Sequence, residues 1–131
     1  MNKRFLITAA VFGALAVAAG AFFAHLLRQK MPPVAVEVYE TAVRYQFYHV
    51  FALLACGMLA EKFAGNQIRR AGIFFTIGIL LFSGSLYSIS GLMTNGIPVP
   101  LILGILTPLG GLSFILGWVF LTIAISTERR S

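Results

Sequence analysis

The sequence predicts an all-α membrane protein: a four transmembrane helix bundle with a short amphipathic interfacial helix between the first two spans. Three observations support this prediction. Apolar residues make up 59% of the 131 residues and charged residues only 11%, whereas a soluble domain has about 25% charged residues. Four long apolar stretches follow one another along the chain. None of them alternates apolar and polar residues as membrane β-strands do.

The four stretches predict four helical spans in a single domain. About 20 helical residues cross a bilayer core about 30 Å thick, and a bilayer forces backbone hydrogen bonds to form within each segment. The predicted spans cover about residues 5–26, 44–61, 71–92 and 101–126. The first stretch also has features of a signal peptide, since "MNKR" precedes it. It is longer than the 7–15 apolar residues of such a peptide, so we interpret it as a span.

The connection between the first two spans predicts a short interfacial helix over about residues 34–44. Pro32 and Pro33 stand where a helix would begin, and proline suits the first helical position. Glu40 precedes Arg44 by four residues, the favourable order for an ion pair along a helix. We expect this helix to lie at the outer membrane surface and to run or bend into the second span.

The positions of lysine and arginine predict the orientation. Three of these residues flank the first connection, and seven flank the N-terminus, the second connection and the C-terminal end: Arg28, Lys30 and Arg44 against Lys3, Arg4, Lys62, Arg69, Arg70, Arg129 and Arg130. Because cytoplasmic loops are enriched in lysine and arginine, both termini are predicted to be cytoplasmic.

Polar side chains gather in the predicted outer half of all four spans, most densely in "ETAVRYQFYH", residues 40–49. Inside a bilayer such side chains face the bundle interior and pair with one another. We therefore predict one hydrogen-bonded polar cluster, either ligand-binding or structural, which consists of His25, Glu40, Arg44, Tyr45, Gln46, His49, Ser83, Ser85, Tyr87 and Thr107.

Motifs for catalysis and for metal binding are absent from the sequence. It contains no aspartate, and its single cysteine, Cys56, excludes an intramolecular disulfide and a multi-cysteine metal site. There is no GxSxG, HExxH, Walker loop or CxxC. We expect no enzymatic activity, no cofactor and no bound metal. The net charge of +6 does not indicate nucleic-acid binding, because no basic stripe with interleaved aromatic residues accompanies it.

Four motifs occur in order along the chain: "GAFFAH", "ETAVRYQFYH", "GILLFSGSLY" and "LTPLGG…GW". With them the chain resembles the domain-of-unknown-function family 423, small four-helix bacterial membrane proteins that are similar to the eukaryotic transmembrane-protein-256 family. The resemblance covers about residues 5–125. It implies the four-helix fold and a multi-pass location in the bacterial inner (plasma) membrane, and it implies no established activity. The family usually has "GAFGAH", where this chain has Phe23 in place of the second glycine.

Three functions remain open from the sequence. The leading hypothesis is a non-enzymatic accessory or stabilising component of the cell envelope or of a larger membrane complex. A larger membrane complex and a homo-oligomer are the two forms of assembly that this hypothesis allows. The first alternative is a binder or transporter of a lipid or small molecule that uses the polar cluster. The second alternative is metal or haem binding by His25 and His49, for which no third ligand is clearly placed. Membrane lipids are expected partners in every case.

Overall fold

The computed structural model describes residues 1–63 and 65–127, and the regular structure in this part of the chain is helical throughout. The helices are α1 (Lys3–Phe22), α2 (Pro33–Leu59), α3 (Asn66–Gly78), α4 (Gly84–Thr94) and α5 (Leu101–Ser126). A first π turn, Phe23–Leu27, and a 3₁₀ turn, Arg28–Lys30, extend α1. A second π turn, Ile79–Ser83, joins α3 to α4. The described chain therefore forms four helical rods.

Three of these rods are long and apolar enough to cross a membrane: Lys3–Lys30, Asn66–Thr94 and Leu101–Ser126. Their most apolar stretches have mean hydropathies of 2.2, 1.8 and 2.0. The fourth rod, α2, has 27 residues, or about 40 Å at 1.5 Å per residue, which is long enough for a span. It is less apolar because Arg44, Gln46 and His49 lie near its middle. The predicted span over residues 44–61 is therefore not among the apolar rods.

The predicted interfacial helix over residues 34–44 is not a separate element. Residues 33–59 form one unbroken helix, so the stretch is the beginning of α2. Ala35 and Ala42 are fully buried, and their carbonyls accept hydrogen bonds from Ser90 and Ser83 on the third rod. These small residues let the third rod pack closely against this part of α2. A separate amphipathic surface helix is therefore not confirmed.

The core lies where α2, α3 and α5 meet. Phe75, Leu53 and Cys56 are fully buried there. Gly110 of α5 lies against the backbone of the second π turn, since a Cβ at this position would be 2.8 Å from Cα of Phe82. Glycine is therefore required for this contact between two main chains.

The start of α1 is attached to the end of α2. The backbone N–H of Asn2 donates a hydrogen bond of 2.9 Å to the carbonyl of Gly57. The terminal ammonium of Met1 also donates to the Glu61 carboxylate, which lowers the pKa of that carboxyl. Arg129 and Arg130, which contribute to the predicted orientation, lie outside the described residues.

Candidate functional site

The first group of polar side chains is centred on Gln46, and we call it the Gln46 group. Gln46 is only 4% exposed. Its Nε2 donates a hydrogen bond of 2.8 Å to the carbonyl of Phe12 on α1. Its Oε1 accepts one of 2.7 Å from the hydroxyl of Tyr87 on α4. One side chain of α2 thus connects three helices, with both ends of its amide engaged.

Three further hydroxyls connect α2 to its neighbours. Ser83 donates to the carbonyl of Ala42 at 2.8 Å, and Ser90 donates to the carbonyl of Ala35 at 3.2 Å. Tyr39 of α2 donates to the carbonyl of Ala19 on α1 at 2.8 Å. All three acceptors are main-chain carbonyls, so these side chains hold helices together and leave no hydroxyl proton for a ligand.

Ser85 and Thr107 form a separate pair between α4 and α5. Their hydroxyl oxygens are 2.7 Å apart. Each hydroxyl also lies within hydrogen-bonding distance of a carbonyl of its own rod, that of Phe82 for Ser85 and that of Leu103 for Thr107. The pair adds to the polar contacts between these two rods, which also include the hydrogen bond of 2.7 Å from the Ser113 hydroxyl to the Phe74 carbonyl.

The second group packs against α5, and we call it the His49 group: His49, the Tyr45 carbonyl, Phe114 and Trp118. The His49 ring stacks on Phe114 with centroids 3.5 Å apart and an angle of 6° between the planes. Its Nδ1 lies 2.7 Å from the carbonyl oxygen of Tyr45. Trp118 Nε1 donates a hydrogen bond of 3.2 Å to His49 Nε2. His49 is 5% exposed, and both of its nitrogens have partners.

His25, Glu40 and Arg44 do not join either group. His25 lies exposed on the first π turn, Arg44 is exposed and Glu40 is half-buried. Within the described part of the chain, Arg44 donates a bond of 3.4 Å to Thr41, and no ion pair joins it to Glu40. The sequence predicted one connected cluster, whereas the structure contains the Gln46 group, the His49 group, the Ser85–Thr107 pair and three peripheral residues.

Two π turns interrupt the rods that carry His25 and Ser83. A π turn has i→i+5 hydrogen bonds, so the residues after it occupy other faces of the rod than an uninterrupted α-helix would give them. His25 lies within the first π turn, and Ser83 ends the second.

The two histidines do not form a common site. His25 is exposed on the extension of α1, whereas His49 is buried between α2 and α5 with both nitrogens engaged. In residues 1–63 and 65–127, no three histidine, cysteine, aspartate or glutamate side chains cluster as ligands of a metal ion would. The arrangement therefore offers no support for the metal or haem alternative.

An aromatic groove opens sideways between α2 and α5, and we call it the lateral groove. Its volume is about 750 Å³, within the range of ligand sites. The His49 group forms part of its wall, and its lining includes Tyr45, Tyr48, His49, Phe82, Phe114 and Trp118. A smaller groove of about 390 Å³ exposes part of the Gln46 group beside α1.

Trp118 is absent from the cluster that the sequence predicted, although it is the direct partner of His49. It is the single tryptophan of the chain, and it follows Phe114 by four residues on the same face of α5. Those two facts could have indicated Trp118 as a partner of His49, because a buried histidine needs partners for both ring nitrogens.

The buried polar side chains are saturated with hydrogen bonds. Within the described residues, no buried side-chain nitrogen or oxygen lacks a partner. Such saturation is expected inside a bilayer, where water cannot satisfy polar groups. Long apolar rods packed around a few hydrogen-bonded polar side chains define the class of this chain: a small helical membrane protein.

The chain belongs to the family described as "Protein of unknown function (DUF423)", whose model matches residues 19–111. This confirms the resemblance carried by the four motifs. The chain is 41% identical over 123 residues to the UPF0382 membrane protein YwdK of Bacillus subtilis, a match that covers 93% of this chain and 95% of that protein. It is 33% identical over 132 residues to the UPF0382 inner membrane protein YgdD of Escherichia coli, which covers 99% and 96%. No solved structure matches the chain.

Proposed function

We propose that this protein is a non-enzymatic accessory or stabilising component of the membrane or of a larger membrane complex, and that α1 is the helix that contacts the partner. The carrying observation is the low burial of this rod. Only 11% of the most apolar stretch of Lys3–Lys30 is buried, against 33% in each of the other two apolar rods. A long apolar helix with one side packed has a free side for a second protein.

The free side of α1 has the residues that helix association needs. Ala10, Ala14 and Ala18 are exposed and stand four residues apart, so they share one face. Small residues at this spacing let two helices approach closely in a bilayer. The partner would be a helix of a second copy or of another membrane protein.

Cysteine crosslinking in native membranes tests this proposal. In a Cys56→Ala background, which removes the only cysteine of the chain, Ala14→Cys should give a defined crosslinked product. Leu109→Cys is the matched control, because Leu109 is an exposed residue of α5. Equal crosslinking at both positions would indicate random collision, and no product at Ala14→Cys would contradict a role for α1.

The same proposal includes a topology of four spans with both termini in the cytoplasm of a bacterial inner membrane. The length of α2 supports the fourth span, and its excess over a 30 Å core supports a first part that lies at the outer interface. The name of the E. coli relative includes the inner membrane. The surplus of lysine and arginine at the predicted cytoplasmic ends supports the orientation.

The lateral groove favours a second candidate, the binding of a lipid or other small amphiphile. Aromatic rings line the groove around a His49–Trp118 pair, and apolar sites with few polar groups are typical of small-molecule binding. Leu112→Trp should fill the groove, since Leu112 lines it and is exposed. Native mass spectrometry should then show fewer retained lipids than for Leu109→Trp, a control on the same helix. Equal retention would contradict this candidate.

A further inference from the structure

Three charged side chains that belong to neither the Gln46 group nor the His49 group line a groove at the end of α1. We call it the charged groove. It has a volume of about 340 Å³, and it is lined by Gly20, Phe23, Arg28, Glu40, Val43 and Arg44. It lies between α1 with its extension and the first part of α2, and it shares no lining residue with the lateral groove. The charged groove is therefore a separate feature from the lateral groove.

The charges of this groove are not neutralised by ion pairs within residues 1–63 and 65–127. In that part of the chain the ion pair present is the one between the terminal ammonium and Glu61. Arg44 has a bond of 3.4 Å to the Thr41 hydroxyl, which carries no charge. Charged side chains near hydrocarbon pair with other groups or reach toward the interface. Two guanidinium groups and one carboxylate thus remain available to a ligand at the membrane surface.

The floor of the charged groove is apolar and firmly packed. Phe23 is 5% exposed, and its ring stacks on Tyr39 at 4.6 Å. Gly20 leaves room beside Val43, whose Cγ1 would lie 3.7 Å from an added Cβ. The apolar residues lie below the three charged side chains, in the same order as the acyl chains and the charged head group of a lipid.

The helix is irregular at this groove. The first π turn begins at Phe23, and the 3₁₀ turn begins at Arg28. Both are lining residues. Single π turns inside helices occur frequently at functional sites. This irregularity is an observation independent of the charges, and it concerns the same groove.

We infer that the charged groove binds the head group of a zwitterionic phospholipid that carries a primary ammonium, a phosphoethanolamine head group. Guanidinium groups bind phosphate with paired N–H donors, which assigns the phosphate to Arg28 and Arg44. The half-buried Glu40 carboxylate accepts hydrogen bonds from the ammonium. A choline head group has no N–H to donate to Glu40, and a glycerol head group has no positive charge. The combination of two cations and one anion therefore selects ethanolamine.

Lipid titration of the purified protein in detergent tests this inference. Short-chain phosphatidylethanolamine, phosphatidylcholine and phosphatidylglycerol are added separately, and bound lipids are counted by native mass spectrometry. The ethanolamine lipid should bind at least about tenfold more tightly than the choline lipid, the factor expected for one charge-assisted hydrogen bond. Glu40→Gln should abolish this preference for the ethanolamine lipid. Arg28→Gln and Arg44→Gln should each weaken the binding of all three lipids. Arg69→Gln, at the start of α3, makes the same charge change elsewhere and should have no effect.

Several results would overturn the inference. Equal binding of the three lipids would do so, as would tighter binding of the glycerol lipid or a preference that survives Glu40→Gln. Displacement of the ethanolamine lipid by inorganic phosphate at equal concentration would identify a site for a soluble anion instead. If Arg44→Gln does not fold, Arg44→Lys replaces it and should still weaken the binding of all three lipids, because an ammonium lacks the paired N–H donors of a guanidinium. None of these results bears on crosslinking through α1, so that proposal fails separately.

Discussion

The indole N–H of Trp118 on α5 donates a hydrogen bond to Nε2 of His49 on α2. Indole nitrogen is only a donor, so Nε2 is an acceptor and has no proton. The other nitrogen, Nδ1, faces the carbonyl of Tyr45, which is only an acceptor, so Nδ1 has the proton. The two partners therefore fix His49 as a neutral imidazole in one tautomer. A second proton on Nε2 would place two donors against each other.

His49→Leu should destabilise the bundle and change the environment of Trp118. The change removes the interhelical bond and leaves the indole N–H without its acceptor, at a cost of about 0.6–1.7 kcal/mol. Trp118 is the only tryptophan, so its emission reports this contact directly and should shift to shorter wavelength. Unfolding in mixed detergent micelles measures the stability. Thr76→Val, whose hydroxyl bonds only its own helix, should change neither quantity.

A double-mutant cycle separates the hydrogen bond from packing. His49→Leu and Trp118→Phe are each measured alone and together in the same unfolding assay. The coupling energy should be about 0.6 kcal/mol or more. A coupling energy of zero would show that the interaction between the two side chains contributes nothing to stability.

Gln46→Leu should cost more than Tyr87→Phe in free energy of unfolding. The first change removes bonds to two helices, those with Phe12 and Tyr87, whereas the second removes only one. We expect about 1–2 kcal/mol for Gln46→Leu and roughly half of that for Tyr87→Phe. Thr122→Val is the control, since Thr122 bonds a carbonyl of its own helix. If Gln46→Leu and Thr122→Val are equally stable, the Gln46 group does not hold the helices together.

Gly110→Ala should destabilise the protein by about 1–3 kcal/mol or more through overpacking. The added Cβ would meet the backbone of Phe82, which cannot move aside as a flexible side chain can. Gly104→Ala on the same helix is the matched control, because no atom lies within 4 Å of its added Cβ. That change should be neutral or stabilising, since alanine favours a helix by up to about 1 kcal/mol over glycine. Thermal unfolding of the two variants compares them directly.

Reporter fusions should place the end of α5 in the cytoplasm and the connection around residues 95–100 outside it. Seven lysine and arginine residues lie on the predicted cytoplasmic side and three on the other: Lys3, Arg4, Lys62, Arg69, Arg70, Arg129 and Arg130 against Arg28, Lys30 and Arg44. A fusion after Ser131 should be active as a cytoplasmic reporter and inactive as a periplasmic one. The opposite pattern would reverse the predicted orientation.

The apolar rods and the family could be predicted from the sequence. Hydropathy is a local sum over one segment, so the runs that became α1, α3 with α4, and α5 were visible without any partner. The last helix, Leu101–Ser126, has the bounds that its apolar run predicts. The four motifs were sufficient to identify the family before any geometry was known.

The pairing of polar groups could not be predicted in the same way. Gln46 and His49 are three residues apart on α2, yet one turns to α1 and α4 and the other to α5. Sequence spacing states which residues share a helix face within one turn, but it does not state which neighbour covers each side. The absence of an ion pair between Glu40 and Arg44 within the described residues has the same origin, because the surroundings of a side chain decide its partner.

By itself, the sequence determined that this is a helical membrane protein whose polar residues concentrate in residues 40–49, because composition and hydropathy act segment by segment. Only the tertiary structure decided that α2 is one unbroken helix, that two π turns interrupt the α-helical register and that Trp118 completes the environment of His49. These features depend on close packing between rods, such as the contact of Gly110 with Phe82. In a bilayer core without water, each polar group must bond whichever neighbour that packing provides.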